Sequence, residues 1–184
     1  MTPAVPTAEE KIVLGSGQLF VTEFTGTIPT DLLFEIDANK LGDILGGASL
    51  GYKPKFYTVK DDLGVVSKTI VVEEEATLKS GTLTWNGNTL TRVCSTARVT
   101  EAAGKRTVLI GGISKQDGKK YAIRFKHADP VTGTIRVTIV GNNQAGFALA
   151  FTKDKETVVD AEFTALPHDA DGTLIIYEEQ IPTV

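Results

Sequence analysis

At 184 residues, with 41% of them hydrophobic and 23% charged, the chain has the composition of one globular domain. Its net charge of −4 gives no electrostatic reason to expect tight nucleic-acid binding, although a passive wall along which nucleic acid slides would tolerate that charge. Cys94 is the one cysteine, which excludes an intrachain disulfide and a thiolate metal cluster. Neither a secretory signal nor an apolar run of about 20 residues is visible, so we expect folding in a cytosol without a membrane.

The chain begins with an expected arm and a first strand. Residues 1–12 contain two prolines and no periodicity, which indicates a flexible arm before a single domain of residues 13–179. We interpret residues 180–184 as a C-terminal tail. Residues 18–24 follow a Gly-Ser-Gly stretch and are predicted to form a short strand, whereas repeated glycines and a proline make 25–47 a structured loop with one short helical turn.

The strongest pattern lies between residues 48 and 79, where two runs alternate with period two around a Gly-containing turn. The apolar positions of one face are Ala48, Leu50, Tyr52, Pro54 and Phe56 in the first run, and Val66, Ile70, Val72, Ala76 and Leu78 in the second. The pattern predicts a long antiparallel hairpin whose apolar face packs toward the core through Leu50, Phe56, Ile70 and Val72.

The turn chemistry predicts a register for this hairpin. A three-residue loop at 62–64, with Gly64 in the left-handed conformation, pairs Asp61 with Val65. That register places Phe56 opposite Ile70, Pro54 opposite Val72, Tyr52 opposite Glu74 and Lys53 opposite Glu73. Apolar residues then face apolar residues, and one cross-strand ion pair lies on the polar face.

The length of the hairpin predicts a partner. A strand of about 13 residues reaches about 43 Å, whereas a compact domain of this size is about 40 Å across. The ribbon would therefore protrude and expose its edges and its apolar face unless another chain covered them.

One helix is predicted after the hairpin. Asn88 is a suitable N-cap, and Leu90, Val93, Cys94 and Ala97 follow with helical spacing. Cys94 is most simply a small core residue of this helix.

The rest of the chain reads as short strands joined by polar turns. The predicted strands are 107–113, 120–127, 134–140, 147–152, 157–165 and 172–178. Their spacing favours a mainly β fold, a β-sandwich or partly closed barrel with one flanking helix and the long hairpin.

Residues 47–51 match the G-x-S-x-G motif of serine hydrolases, with Ser49 as the nucleophile. That motif requires a strand before the serine and a helix after it, whereas Ser49 enters a predicted strand. His127 and His168 are isolated from any metal-ligand spacing and are most simply structural. We therefore expect no catalytic residues, no metal and no cofactor.

Two sets of acidic residues are further candidates for a binding site. Asp169, Asp171 and Gly172 are similar to part of a calcium loop, but the distal glutamate of an EF-hand is missing, and a turn explains them. In an alternating strand, Glu73 and Glu75 project together while Glu74 projects oppositely, which favours a solvated wall over an acidic site. Glu74, at the rim of the apolar face, is a candidate contact with a neighbouring subunit.

Three stretches carry a resemblance to a known family. They are IPTD at 28–31, GGASLGYKPK at 46–55 with the acidic second strand, and AEFTALPHDADGTL at 161–174. Over most of residues 15–179 the chain resembles the major tail tube proteins of long-tailed bacteriophages. The matching motifs are structural, and none of them is catalytic.

The resemblance implies a virion protein of the phage tail, assembled in the cytoplasm of the bacterial host. Its β-sandwich would form hexameric rings that stack into a tube, with hairpins joined into an inner barrel through which DNA passes without specific binding. The partners implied are other copies of the chain, a tape measure protein, a tail terminator and distal tail proteins.

The resemblance also assigns roles within the hairpin. The predicted lumen-facing residues are Ser49, Lys53, Lys55, Ser67, Thr69, Glu73, Glu75, Thr77 and Lys79. The predicted ring-stacking loop is Lys60, Asp61, Asp62, Leu63 and Gly64. The main alternative is a binding module, an Ig-like or adhesin-type sandwich, which would be a monomer with short edges; a hydrolase using Ser49 is a third.

Overall fold

The computed structural model describes residues 15–65, 67–130 and 133–180. The predicted arm at 1–12, Val66 of the predicted apolar face and residues 181–184 of the predicted tail lie outside this range. The chain is mainly β, with a sandwich-like arrangement of antiparallel strands, which confirms the predicted fold class.

The described residues form ten strands and two short α-helices. In chain order they are β1 (Gln18–Glu23), α1 (Asp31–Phe34), β2 (Lys40–Gly42), β3 (Ile44–Lys60), β4 (Ser67–Thr82), α2 (Gly87–Val93), β5 (Arg98–Ala102), β6 (Lys105–Leu109), β7 (Tyr121–Asp129), β8 (Gly133–Asn143), β9 (Val159–Ala165) and β10 (Ile175–Glu179). Single 3₁₀ turns lie at Asp37–Asn39 and Ile113–Lys115.

Eight of the strands form one branched sheet in the order β2-β1-β7-β8-β9-β4-β3, with β10 also paired to β8. The branch lies on β8, where residues 135–139 pair with β10 and residues 141–143 pair with β9. The sheet divides there into two layers. β2 and β3 end the order and do not pair with each other. The sheet is therefore open and sandwich-like, which replaces the predicted partly closed barrel.

The core lies between the two layers. Leu90 and Val93 of α2 are buried there together with residues from the strands of both layers. The buried strand residues are Leu19, Val21, Leu41, Ala76, Leu78, Ile123, Ile139, Val159, Ala161, Phe163 and Ala165. The alternation of buried and exposed residues along β9 follows the period-two pattern that predicted it. β5 and β6 form a separate two-stranded sheet that contacts α2.

The predicted helix exists, but it starts earlier than expected. Asn86, not Asn88, is the N-cap: its side-chain oxygen accepts a hydrogen bond from the Asn88 backbone N–H at 2.8 Å. The Asn86 N–H donates in turn to the Thr89 hydroxyl at 3.2 Å. This reciprocal capping box fixes the start of the helix two residues before the start that the apolar spacing indicated. Cys94 is half-buried at the C-cap, and Ala97 lies beyond the helix.

Several strand predictions differ from the structure. Residues 147–152 form no strand and belong to an irregular segment between β8 and β9. β5 was not predicted; it pairs with β6 through a tight turn in which Ala103 and Gly104 both have positive φ. The predicted strand 107–113 is shortened to β6 because it ends before Gly111 and Gly112.

Helix α1 covers the outer face of the β1–β7–β8 layer, on the side away from the main core. Phe34 is fully buried there in a second apolar cluster with Phe20, Ala122 and Val140. The Arg124 guanidinium lies over the Phe34 ring, 4.6 Å from its centroid.

An ionic cluster fixes α1 and its C-cap residue to this layer. We use that name for Asp31, Glu35, Arg124, Lys126 and Arg136. Arg124 is 5% exposed and contacts the Asp31 carboxylate at 2.5 Å, and Glu35 contacts Arg136 Nε at 2.5 Å and Lys126 Nζ at 2.6 Å. Burial by itself would raise the pKa of Glu35, but the hydrogen bonds and charges of Arg136 and Lys126 outweigh it and lower the pKa to about 2.

The ionic cluster makes stability depend on acid pH. The folded pKa of Glu35 lies below its ordinary 4.5, so its contribution is complete above pH 4.5 and is lost as the pH falls toward 2. Glu35→Gln should lower the free energy of unfolding at pH 7 by about 3 kcal/mol and reduce the loss of stability below pH 4.5. Urea unfolding from pH 7 to pH 3 measures both effects.

The matched control is Glu101→Gln, which removes an exposed ion pair with Arg106. That variant should lose less than about 1 kcal/mol, because water screens exposed pairs. Equal losses from the two variants would contradict the assignment of Glu35 as a structural anchor.

Candidate functional site

The hairpin β3–β4 extends far beyond the sandwich that holds it. β3 has 17 residues and β4 has 16, and only residues 77–82 of β4 pair with a second strand, β9. A strand of 17 residues is about 56 Å long, which exceeds the width of about 40 Å expected for a compact domain of this size. In the described chain, residues 67–76 of β4 and the whole outer edge of β3 have no strand beside them.

A double-glycine bulge lies at the base of the hairpin. Leu45 pairs with Gly81 and Ala48 with Ser80, so Gly46 and Gly47 are two extra residues on β3. Both have positive φ, +77° and +78°, and a side chain at either position would meet open space. Glycine is therefore required here by backbone conformation rather than by crowding. The bulge redirects β3 where the hairpin leaves the sandwich.

The predicted register of the hairpin is wrong. Gly64 is left-handed as predicted, with φ +69°, and its N–H bonds to the Asp61 carbonyl, but the ladder closes at Lys60 and Ser67, not at Asp61 and Val65. The loop is thus longer than three residues, which shifts the register by one residue. The predicted pairs are replaced by Phe56–Val71, Pro54–Glu74, Tyr52–Ala76 and Lys53–Glu75.

A second bulge shifts the register again. Lys55 pairs with Glu73 whereas Phe56 pairs with Val71, so Val72 is an extra residue on β4. We call residues 48–55 of β3 and 73–80 of β4 the basal hairpin. Residues 56–60 of β3 and 67–72 of β4 are the distal arm. A single extra residue exchanges the faces of one strand relative to the other, so the two parts present different residue sets.

The predicted lumen-facing residues consequently do not share one face. Seven of them lie on one face of the basal hairpin: Ser49, Lys53, Lys55, Glu73, Glu75, Thr77 and Lys79. Ser67 and Thr69 lie on the opposite face, beside Lys60 and Thr58, and the Thr58 and Thr69 hydroxyls are 2.9 Å apart. The sequence pattern missed this because a bulge leaves no mark in the alternation of either strand alone.

The predicted core face is also corrected. Leu50 lies opposite Leu78, whereas Phe56 and Ile70 lie on opposite faces of the distal arm. Leu50, Phe56, Ile70 and Val72 are between 40% and 60% exposed, so none belongs to the core of this chain. The hairpin continues past the end of β9, and the described chain offers no second layer to cover them.

Charge is distributed unequally between the two strands. β3 carries Lys53, Lys55 and Lys60 without an acidic residue, and the acidic run of β4 is 73–75. Lys55 Nζ lies 2.9 Å from the Glu73 carboxylate, a contact that raises the pKa of Lys55 and lowers the pKa of Glu73. β4 also carries Lys68 and Lys79, so the contrast lies in the middle of the ribbon, where β3 is basic at Lys53 and Lys55 and β4 is acidic at 73–75.

Two further contacts organise the basal hairpin. Lys79 pairs with Glu162 of β9 at 2.8 Å, which extends the polar face onto the sandwich. On the other face, the Tyr52 hydroxyl donates a hydrogen bond to Glu74, the residue predicted at the rim of the apolar face. The predicted stacking loop, 60–64, forms the exposed tip of the ribbon, where Leu63 is 85% exposed.

The remaining candidate residues have local structural roles. Ser49 lies inside β3 opposite Lys79, without the strand-to-helix turn that a nucleophile elbow requires. His127 is buried and its Nδ1 lies 2.7 Å from the Ser16 carbonyl, and His168 contacts the Phe24 ring edge-on. Asp169 accepts a hydrogen bond from the Thr173 N–H at 2.8 Å, which closes a turn. The Thr173 hydroxyl and this N–H together lower the pKa of Asp169.

Within residues 15–65, 67–130 and 133–180, no group of three or more His, Cys, Asp or Glu side chains is arranged to hold a metal ion. The same residues contain no helix with the length and apolarity to cross a bilayer.

The chain has distant likenesses among solved structures. A solved chain described as "Virion of native gene transfer agent (GTA) particle" is similar with a TM-score of 0.41 and 10% identity, over 87% of this chain and 95% of that chain. A likeness at this level assigns neither a family nor a function. No protein-family model matches the sequence, and no curated protein matches it.

The double-glycine bulge yields a test of the hairpin's base. Gly46→Val should lower the free energy of unfolding by about 1–2 kcal/mol, because a β-branched residue is strained at positive φ. Gly46→Asn should cost clearly less, since asparagine tolerates that conformation. Thermal unfolding of dilute protein measures the order, and equal costs would show that the bulge does not hold this conformation in solution.

Proposed function

We propose that this chain is a structural subunit that assembles with copies of itself into rings stacked as a tube, the tail tube of a bacteriophage through which DNA passes. The observation that carries the proposal is the β3–β4 ribbon, in which the outer edge of β3 and residues 67–76 of β4 have no strand beside them in the described chain. Unpaired edges of this length promote uncontrolled aggregation unless a specific partner pairs with them.

Two neighbouring copies in the same orientation, one on each side, would pair both edges. β3 and β4 are antiparallel, so a ribbon placed beside an identical ribbon by rotation brings β4 of one copy next to β3 of the next, again antiparallel. Such a contact joins two different surfaces and closes when the rotation generates a ring. Closure is the arrangement that leaves no edge exposed.

Charge complementarity favours the same partner. In the ring, the acidic run 73–75 of one copy would lie next to Lys53 and Lys55 of the neighbour. The pattern already present within the chain, Lys55 with Glu73, would then repeat around the ring. Alternating charges between copies select the correct partner and suppress pairing of like edges.

The polar face of the basal hairpin suits the wall of a channel. It carries lysines, glutamates, threonine and serine and continues onto Glu162 of β9. Mixed charge of this kind gives no strong attraction for phosphates, as a passage for DNA without specific binding requires. Helix α1 lies on the opposite side of the sandwich, and in this arrangement it would face outward from the tube.

The finer parts of the proposal come from the sequence resemblance to major tail tube proteins. These are the six-fold ring, a location in the virion tail after assembly in the host cytoplasm, and the tape measure, tail terminator and distal tail proteins as partners. The structural role assigns no catalysis and no cofactor. The long unpaired edges favour this proposal over a monomeric adhesin-type module, which would have short edges.

Assembly of the purified chain is the direct test. Negative-stain electron microscopy and analytical ultracentrifugation over a range of concentrations should show rings or tubes together with free subunits. A monodisperse monomer at high concentration, under conditions in which the fold is intact by circular dichroism, would contradict the proposal.

Charge reversal tests the edge-to-edge contact itself. Lys53→Glu with Lys55→Glu makes both ribbon edges acidic, and Glu73→Lys with Glu75→Lys makes both basic. Each double variant alone should lose assembly, because like charges then meet at every interface. An equimolar mixture should recover it, since acidic and basic chains can alternate around a ring with an even number of copies.

The quadruple variant that combines all four substitutions provides the matched control. It exchanges the signs of the two edges, so it should assemble by itself. Circular dichroism establishes whether each variant folds. Unchanged assembly of both double variants would show that the hairpin edges are not the contact between copies.

A further inference from the structure

The distal arm has apolar side chains on both faces. Tyr57, Val59 and Ile70 lie on one face and are 46% to 56% exposed. Phe56 and Val71 lie on the other face and are 60% and 46% exposed. The basal hairpin differs, because one of its two faces carries only polar residues and glycine.

A channel wall does not account for this distribution. A wall has one face toward water and one toward protein, and strands in such a wall alternate between polar and apolar residues. The basal hairpin follows that rule, because the face that carries Lys55 is polar. Beyond the Val72 bulge the same face carries the apolar side chains of Tyr57 and Ile70. Exposed apolar surface on both sides of a two-stranded ribbon indicates two covering layers.

We propose that the distal arm is an insertion arm, both of whose faces are covered by other copies of this chain, and that the Val72 bulge marks where channel wall ends. This inference rests on the proposed function, because the covering layers are copies in the assembly. The second copy is favoured because the distal arm is continuous with the edges that carry the complementary charges.

A cleft beside the free edge of β4 supports a copy as the occupant. It lies where β9 ends, between Val71 and Val72 on one side and Leu166, Pro167 and Leu174 of the β9–β10 connection on the other. A strand that adds to residues 71–74 of β4 would run along this cleft, where its side chains would meet apolar residues together with Glu73 and Glu74. The β3 edge of a neighbouring copy is the strand that the proposed ring supplies at this place.

Cysteine accessibility tests the inference. Three variants are made in a Cys94→Ser background. Lys53→Cys places a thiol on the polar face of the basal hairpin, and Tyr57→Cys places one on the same face of the distal arm. Phe56→Cys places one on the other face of the distal arm. Each variant is mixed as a minor fraction with Cys94→Ser chains, so that assembly does not depend on the substituted side chain. The rate of reaction with iodoacetamide is then measured for free subunits and for purified assemblies.

The expected result is protection of both distal thiols. Tyr57→Cys and Phe56→Cys should each react about tenfold or more slowly in assemblies than in free subunits, because covered thiols lose access and thiolate character. Lys53→Cys should keep its rate, since iodoacetamide enters an open channel. Similar protection of Tyr57→Cys and Phe56→Cys would therefore support an insertion arm.

Two results would overturn it. If Tyr57→Cys stays as reactive as Lys53→Cys while Phe56→Cys is protected, the distal arm is channel wall, and the proposed function stands without the insertion arm. If both distal thiols stay reactive in assemblies, the arm is uncovered. Failure of the Cys94→Ser chain and the unmodified chain to assemble would overturn the proposed function itself, and the inference with it.

Discussion

Backbone hydrogen bonding holds the β3–β4 ribbon together but leaves most of its outer edges without a strand beside them. Fifteen residue pairs join the two strands, but most of the outer N–H and C=O groups of both strands have no strand beside them in the described chain. Water can satisfy these groups in a free subunit, although a long exposed edge remains a template for another strand. The assembly proposed for the chain follows from this requirement, because a ring of identical ribbons pairs both edges at once.

The sandwich acts as the support for the ribbon. Residues 77–82 of β4 belong to the core layer, where Leu78 packs among fully buried side chains, so one strand is both core and ribbon. At the same level the double-glycine bulge turns β3 away from the sandwich. On the far side, the ionic cluster fixes α1 to the β1–β7–β8 layer. A firm attachment of this kind lets a protruding element hold a defined direction instead of moving independently.

Two irregularities divide the ribbon into parts with different surfaces. Before the Val72 bulge, polar residues occupy one face, and beyond it both faces carry apolar residues. On β3 this change follows from the sequence, because Tyr57 and Val59 succeed Lys53 and Lys55 on the same face. On β4 the inserted Val72 shifts the faces by one residue, which places Ile70 beside Tyr57. The proposed separation of channel wall from insertion arm therefore combines the side-chain sequence of β3 with the backbone geometry of β4.

The mainly β fold, the existence and great length of the hairpin and the left-handed Gly64 could be predicted from the sequence, because alternation and turn residues are local signals. The register, the Val72 bulge and the faces of Ser67, Thr69 and Ile70 were decided by the tertiary structure, since pairing between strands depends on both strands and on the loop between them. The Asn86 cap and the ionic cluster of Glu35 and Arg124 could not be predicted from the sequence either. The apolar spacing favoured Asn88 as the cap. Arg124 and Glu35 are 89 residues apart in sequence, and only the packing of α1 on the sheet brings their charges together.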